Sequence, residues 1–302
     1  MRQPIFKNIE TQKTFDKQGY VVIKLVDENQ LLALNNLFDE KHKDLPPSGF
    51  FASSYSPDKA YKDEVSNKIV EILKPTYDEV FENYQPFGAS FLVKMPTEDS
   101  ALAVHQDWTI VDEAKNYALN CWIPLTKITE NNGPLMVLPG SHFDNYKTLR
   151  APTLNFFFSH EEEKIMKQLI PLIPSIGEAV ILNQSLIHYS PPNNSNEVRR
   201  AITAGVKTKG TPMWFHYKNK ENNTIERFLM PEDFLISFEN FGVDIFEKPK
   251  GEFLQSINYE DKILTGQEVD QILLKFKGEE KVQVEPKKGI FQNIKSFFRF
   301  AN

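Results

Sequence analysis

His105-Gln106-Asp107 sets an imidazole and a carboxylate two residues apart within the run Ala103-Val104-His105-Gln106-Asp107-Trp108. Along a strand, residues two apart project to one face, so both groups can address one point in space. One further histidine completes the 2-His-1-carboxylate triad, which leaves three cis positions open on a ferrous ion. A bidentate oxoacid takes two of these and dioxygen the third. Alone, the His-x-Asp pair is a weak signal, because a surface histidine beside a solvated aspartate has the same spelling.

Four later histidines compete for the third ligand. His142 follows Pro139-Gly140-Ser141 in a turn, and His160 reads as a helix cap or surface residue. His216, in Met213-Trp214-Phe215-His216-Tyr217, suits a core or surface role in a strand. His188 lies in Leu186-Ile187-His188-Tyr189-Ser190, which ends at the turn Pro191-Pro192-Asn193-Asn194 before Arg199-Arg200 opens another strand. A hairpin there would return an arginine beside His188, and its planar fork binds a carboxylate bidentately. The chemistry needs one such arginine for the far carboxylate of a metal-bound 2-oxoacid. Alternation sends Arg199 and Arg200 to opposite faces and does not choose between them.

The elements that must position these groups are legible in outline. Residues 20–25 read as a β-branched strand. Asp27 caps a helix through Leu31, Leu32, Leu34, Leu37 and Phe38, and a second helix runs from Pro57 to about Asn83 with Val65, Ile69, Ile72 and Leu73 on one side. From about Pro86 to Tyr217, short apolar or alternating runs are separated by Gly, Pro and Asn turns, the pattern of a closed or sandwiched antiparallel sheet, interrupted by a helix at about 160–169. The expected fold is therefore mainly β with flanking helices. Residues 1–230 form the main domain, and 231–302 form a C-terminal extension with a helix at 267–276 and an amphipathic stretch at 290–300.

Bulk properties exclude several classes. A net charge of -6 argues against nucleic acid as a partner, since phosphate binding needs a basic face. No apolar run approaches the roughly 20 residues of a membrane span. The polar opening MRQPIFKNIE, broken by Pro4, does not read as a signal peptide. The single cysteine, Cys121, excludes an internal disulfide and suits the reducing cytoplasm.

Taken in order, the motifs resemble those of the phytanoyl-CoA dioxygenase family of iron(II)/2-oxoglutarate oxygenases. They are Gly19-Tyr20-Val21-Val22-Ile23, His105-Gln106-Asp107, Cys121-Trp122-Ile123-Pro124-Leu125, the run from Asn131-Asn132-Gly133-Pro134 to Pro139-Gly140-Ser141-His142, and His188-Tyr189-Ser190-Pro191-Pro192-Asn193-Asn194-Ser195 with Arg199-Arg200. The resemblance spans residues 15–217. It implies a double-stranded β-helix (jelly-roll, cupin-like) core buttressed by the N-terminal helices. It also implies Fe(II), 2-oxoglutarate and O2 as the reactive partners. By the match, His105, Asp107 and His188 fall on the iron ligands and Arg199 on the 2-oxoglutarate carboxylate binder. Trp122, Ser190 and Ser90 fall on co-substrate positions, and His142 belongs to a loop signature away from the metal. A carboxylate at position 107 favours hydroxylation, because related halogenases carry a small residue there that frees a site for chloride.

The expected substrate is a small molecule. Acidic balance argues against an acyl-CoA, whose phosphates want basic surface. The aromatic supply (Phe50, Phe51, Tyr55, Trp108, Trp214, Phe215, Tyr217) can line a pocket but reads first as core. The amphipathic stretch at 290–300 reads first as docked on its own domain, with membrane-surface association the lesser alternative. The rival function is a cupin-like metal protein that is non-catalytic or works without 2-oxoglutarate. Nothing in the sequence speaks to oligomeric state.

Overall fold

Three side-chain caps organise the N-terminal third of the protein, whose computed structural model describes residues 2–145 and 148–276. Asn8 accepts from the amides of Glu10 and Thr11 to start α1 (Ile9–Gln18), which Gly19 ends in the left-handed conformation that glycine adopts without penalty. Asp27 and Gln30 form a reciprocal capping box at the head of α2 (Glu28–Lys41). Asp58 accepts from the Tyr61 amide to start α3 (Lys59–Val80). Between them lie β1 (Tyr20–Lys24), β2 (Phe50–Ala52) and a 3-10 turn, Ser53–Tyr55.

The following segments are β3 (Tyr84–Lys94), β4 (Leu102–His105), β5 (Ala118–Pro124) and β6 (Leu135–Val137), then the short helices α4 (His142–Asn145) and α5 (Glu162–Met166). Next come β7 (Ile170–Leu172), β8 (Glu178–Asn183), β9 (His188–Ser190), β10 (Arg199–Thr208), β11 (Met213–Asn219) and β12 (Thr224–Met230). The described chain closes with α6 (Phe234–Ser237), α7 (Phe241–Asp244), β13 (Glu252–Ile257) and α8 (Gly266–Lys275).

Two antiparallel sheets make the core, one of six strands in the order β1-β8-β5-β10-β3-β2 and one of four in the order β4-β9-β6-β7. Period-2 alternation gives the large sheet two apolar faces. Ile202, Ala204 and Val206 of β10 join Phe91, Val93, Cys121 and Ile123 against Phe15, Leu34, Phe38, Val65, Ile69 and Tyr77 of the three helices. On its inner face Trp122, Val180, Leu182 and Ala201 meet Leu135, Val137 and Leu172 of the small sheet. Two antiparallel sheets face to face, with helices backing one of them, form the jelly-roll arrangement expected from the motifs. Val269 and Leu273 of α8 cover the outer side of the small sheet beside Val104, Leu138 and Ile187. Buried Lys62 donates to the Phe238 carbonyl and buried Lys207 pairs with Glu232, tying residues after 231 to the core.

Several local expectations are corrected. The helix expected at 160–169 shrinks to Glu162–Met166. α1 and β13 escape sequence pattern because little of them is apolar and buried: α1 buries only Gln12 and Phe15, and β13 is almost wholly exposed. The three-stranded sheet β11-β12-β13 is thus an addition to the expected architecture. The amphipathic stretch at 290–300 lies outside the described residues. Among those residues, no helix is long and apolar enough to cross a membrane.

Candidate metal centre

His105 is the last residue of β4 and stands directly opposite His188 in the antiparallel β4–β9 register, with ring centroids 4.1 Å apart. Asp107 lies two residues past the strand end, so strand alternation does not place it. The chain must leave the sheet for its carboxylate to turn back. One Asp107 oxygen then lies 3.8 Å from His105 Nε2 and 3.9 Å from His188 Nε2, and one ligand atom from each residue falls within 4.8 Å of the others.

The imidazoles are oriented by their own strands. His105 Nδ1 donates to the Ala103 carbonyl at 2.7 Å and His188 Nδ1 to the Leu186 carbonyl at 2.9 Å. Each bond fixes the tautomer and leaves the Nε2 lone pair toward the shared point, as a metal-ligating histidine requires. Burial and the neighbouring His188 push the His105 pKa down to about 4 against the opposing pull of Asp107, so His105 is neutral and ready to bind a cation. Asn120 Nδ2 donates to the second Asp107 oxygen at 3.2 Å, and Thr203 donates to Asn120 Oδ1. The carboxylate is thereby held by one oxygen and offers the other.

The loop leaving β4 is clamped through its backbone. Arg150 Nε donates to the Asp107 carbonyl at 2.8 Å, and Arg150 Nη2 donates to Glu113 Oε1 at 2.5 Å; both side chains are buried. His216 Nδ1 donates to the Thr109 carbonyl and the Trp214 amide to that of Ile110. Burial and Arg227 hold the His216 pKa low, at about 3, so this clamp carries no charge. His216 is therefore a support and no ligand.

Arg199 opens β10 on the inner face of the large sheet, opposite Lys94 of β3, and is 2% exposed. Its Nε and Nη1 have no hydrogen-bond partner among the described residues. Its guanidinium carbon lies 5.6 Å from the centre of the Trp122 ring, and burial pulls its pKa down to about 9. A buried, unpaired guanidinium costs several kcal/mol unless an anion meets it. Lys94 makes no such demand, because its ammonium donates to the carbonyls of Ser100, Ser190 and Pro191 at 2.6, 2.9 and 2.7 Å. Arg200 lies on the opposite face, paired with Asp39 and over the Phe38 ring. The expected hairpin does not form: β9 pairs with β4 and β6, whereas β10 pairs with β3 and β5. Arg199 therefore approaches from the other sheet.

The remaining candidates are placed as follows. The Ser190 hydroxyl donates to the Gly133 carbonyl at 3.0 Å. Ser90 stands on the inner face opposite Thr203, but its hydroxyl is engaged by Ser53 and the Ser54 amide. His142 is buried against the Asp16 carbonyl, and His160 is an exposed residue before α5.

A family model described as phytanoyl-CoA dioxygenase (PhyH) matches residues 15–201, well over half of the chain. The chain belongs to the phytanoyl-CoA dioxygenase family. The matched span contains the three clustered ligands and Arg199. Phytanoyl-CoA dioxygenase 1 of Oryza sativa subsp. japonica is 26% identical over 144 residues, covering 47% of this chain and 50% of that protein. The peroxisomal phytanoyl-CoA dioxygenase of Homo sapiens is 26% identical over 227 residues, covering 65% and 67%. The chain spans about half the length of the rice protein and of a zebrafish relative. Among solved structures, the non-heme alpha ketoglutarate dependent carbocyclase SnoK is 17% identical with a TM-score of 0.47, over 68% of this chain and 86% of that one.

Within this family member, Asn120, Thr203, Arg150 and Glu113 are site residues that sequence reading missed. Asn120 had a signal, since it precedes Trp122 by two on one strand and so shares its face. Arg150 had none, because its contact with Asp107 spans 43 residues. Removing the Arg150–Glu113 pair together (Arg150→Met with Glu113→Gln) leaves no unpaired buried charge. Co2+ affinity is expected to fall roughly 10–100-fold, as for other outer supports of metal ligands. Titration of the Co2+ visible bands checks this; unchanged affinity removes the clamp from the account.

Proposed function

We propose that the chain is an Fe(II)- and 2-oxoglutarate-dependent dioxygenase that hydroxylates an unactivated C–H bond of a small molecule. One arrangement carries this reading: three donor atoms within 4.8 Å of one another, held at the small sheet, and on the inner face of the opposing sheet a buried guanidinium with two unpartnered nitrogens. A triad alone suits several metals and reactions, whereas a waiting fork beside it asks for a carboxylate. 2-Oxoglutarate answers both, chelating at its oxoacid end and pairing at the other.

Bound iron supplies dioxygen activation coupled to decarboxylation of 2-oxoglutarate, one oxygen atom ending in succinate and the other in the substrate hydroxyl. The chain's own groups do the positioning. His105 and His188 present Nε2, and Asp107 presents one oxygen while Asn120 restrains the other. Arg199 neutralises and orients the far carboxylate, with the Trp122 ring beside it. Val180, Leu182, Leu135 and Val137 pack with Trp122 between the two sheets and would exclude water on that side. Ser190 and Ser90 reach the co-substrate only by exchanging their present hydroxyl partners.

A panel of candidate substrates scored for succinate tests the reading. Succinate is expected to rise with the true substrate and to match oxidised product one for one. No rise above the substrate-free background across neutral, zwitterionic and CoA-linked compounds would count against hydroxylation.

A further inference from the structure

One row of rings beside Asp107 stays partly exposed although its far end, Trp108, is backed by the core aromatics Phe215 and Phe238. Phe50 stands opposite Lys94 in the β2–β3 register, so it shares the inner face with Lys94 and Arg199. The 3-10 turn that follows is fastened to Ser90 through Ser53 and Ser54 and presents Tyr55. The Tyr55 ring stacks on Phe241 with centroids 4.3 Å apart and planes at 22°. Phe241 in turn lies parallel to Trp108 at 6.0 Å and 8°, and Trp108 is the residue after Asp107. Phe50 meets Tyr55 edge-on at 6.1 Å. Four rings from three distant stretches thus form a continuous row from the inner face of β2 to the residue that follows Asp107.

This row is not sealed as a core would be. Tyr55 is 39% exposed and the other three rings are partly exposed. No described residue accepts a hydrogen bond from the Tyr55 hydroxyl. A phenol is protonated at neutral pH, so this hydroxyl is a standing donor. Nearby cations are already committed, Lys94 to three carbonyls and Lys62 to the Phe238 carbonyl. Phe241 lies beyond the 15–201 span matched by the family model, whereas Phe50, Tyr55 and Trp108 lie within it.

We infer that Phe50, Tyr55, Phe241 and Trp108 are the substrate wall of the centre, and that it takes an uncharged, flat-ringed apolar molecule carrying an oxygen that accepts from Tyr55. This rests on the dioxygenase reading. Ring faces favour offset stacking and repay burial of flat apolar surface, while an acyl-CoA or an amino acid would bring charges that this wall does not meet.

The test uses the full chain loaded with Ni2+ and 2-oxoglutarate, which binds without turnover. 1,8-Dihydroxyanthraquinone, palmitoyl-CoA and L-leucine are titrated separately by calorimetry. The anthraquinone is expected to bind and the other two are not. Phe241→Ala and Phe241→Leu should each weaken it about tenfold, the size of a lost ring contact, and Tyr55→Phe should weaken it several-fold. Ni2+ and 2-oxoglutarate affinities should be unchanged in all three variants. Binding of palmitoyl-CoA or leucine in preference, binding of none of the three, or indifference to Phe241→Ala overturns the inference while leaving the dioxygenase reading intact. Failure of wild-type protein to bind 2-oxoglutarate with Ni2+ removes that reading, and the substrate wall with it.

Discussion

Arg199→Met is expected to raise the 2-oxoglutarate concentration needed for half-saturation at least about 100-fold, while the metal-free, ligand-free protein becomes more stable. The two halves have one cause. In the free protein Arg199 is 2% exposed, and two of its nitrogens meet no acceptor among the described residues. Its charge is a liability there, and an apolar side chain of similar length relieves on the order of 1–4 kcal/mol of it. With the co-substrate bound, the same nitrogens gain charge-assisted bonds worth about 1.5–3 kcal/mol each, which accounts for a loss of two orders of magnitude or more. Arg199→Lys should recover little, because a point charge does not reproduce a planar fork. Thermal denaturation with and without 2-oxoglutarate, together with a binding titration, reads both signs. A ligand-free variant less stable than wild type, with co-substrate affinity unchanged, makes Arg199 a structural residue and no anchor.

His188→Ala should abolish succinate formation and weaken Co2+ or Ni2+ binding more than 100-fold, beyond the loss expected from any outer support. The geometry leaves no substitute, since His188 Nε2 is one of only three donors in the cluster found among the described residues. The remaining buried histidines are used elsewhere, His142 on the Asp16 carbonyl and His216 on that of Thr109. Stability of the metal-free chain is expected to change little, because truncation removes one ring and one bond to the Leu186 carbonyl. Metal titration with circular dichroism as the folding control checks this. Retained stoichiometric binding would place the metal on other residues.

These results also indicate why some of the protein could be read before folding. Local chemistry was enough for the Asp27 cap, because a cap is completed within three residues. It was enough to send Arg199 and Arg200 to opposite faces, because alternation along one strand is a property of the backbone alone, while the choice between them came from the motif match. The order of motifs was enough for the family, and with it to name three residues that cluster and an arginine left buried without a partner for two of its nitrogens.

What tertiary structure alone decided was how those groups come to meet. Asp107 lies outside its strand, so the same-face argument reached a residue that joins the cluster by a route the chain does not take. Arg199 comes from the sheet opposite His188 and not from a hairpin beside it. Asn120, Arg150 and Phe241 enter through contacts across 13, 43 and 133 residues. Spacing along a chain reports only neighbours within a turn or a strand. Which sheet a strand joins, and in what register, depends on the burial of every apolar face at once. A site assembled from both sheets and a C-terminal helix therefore exists only once the whole core has closed.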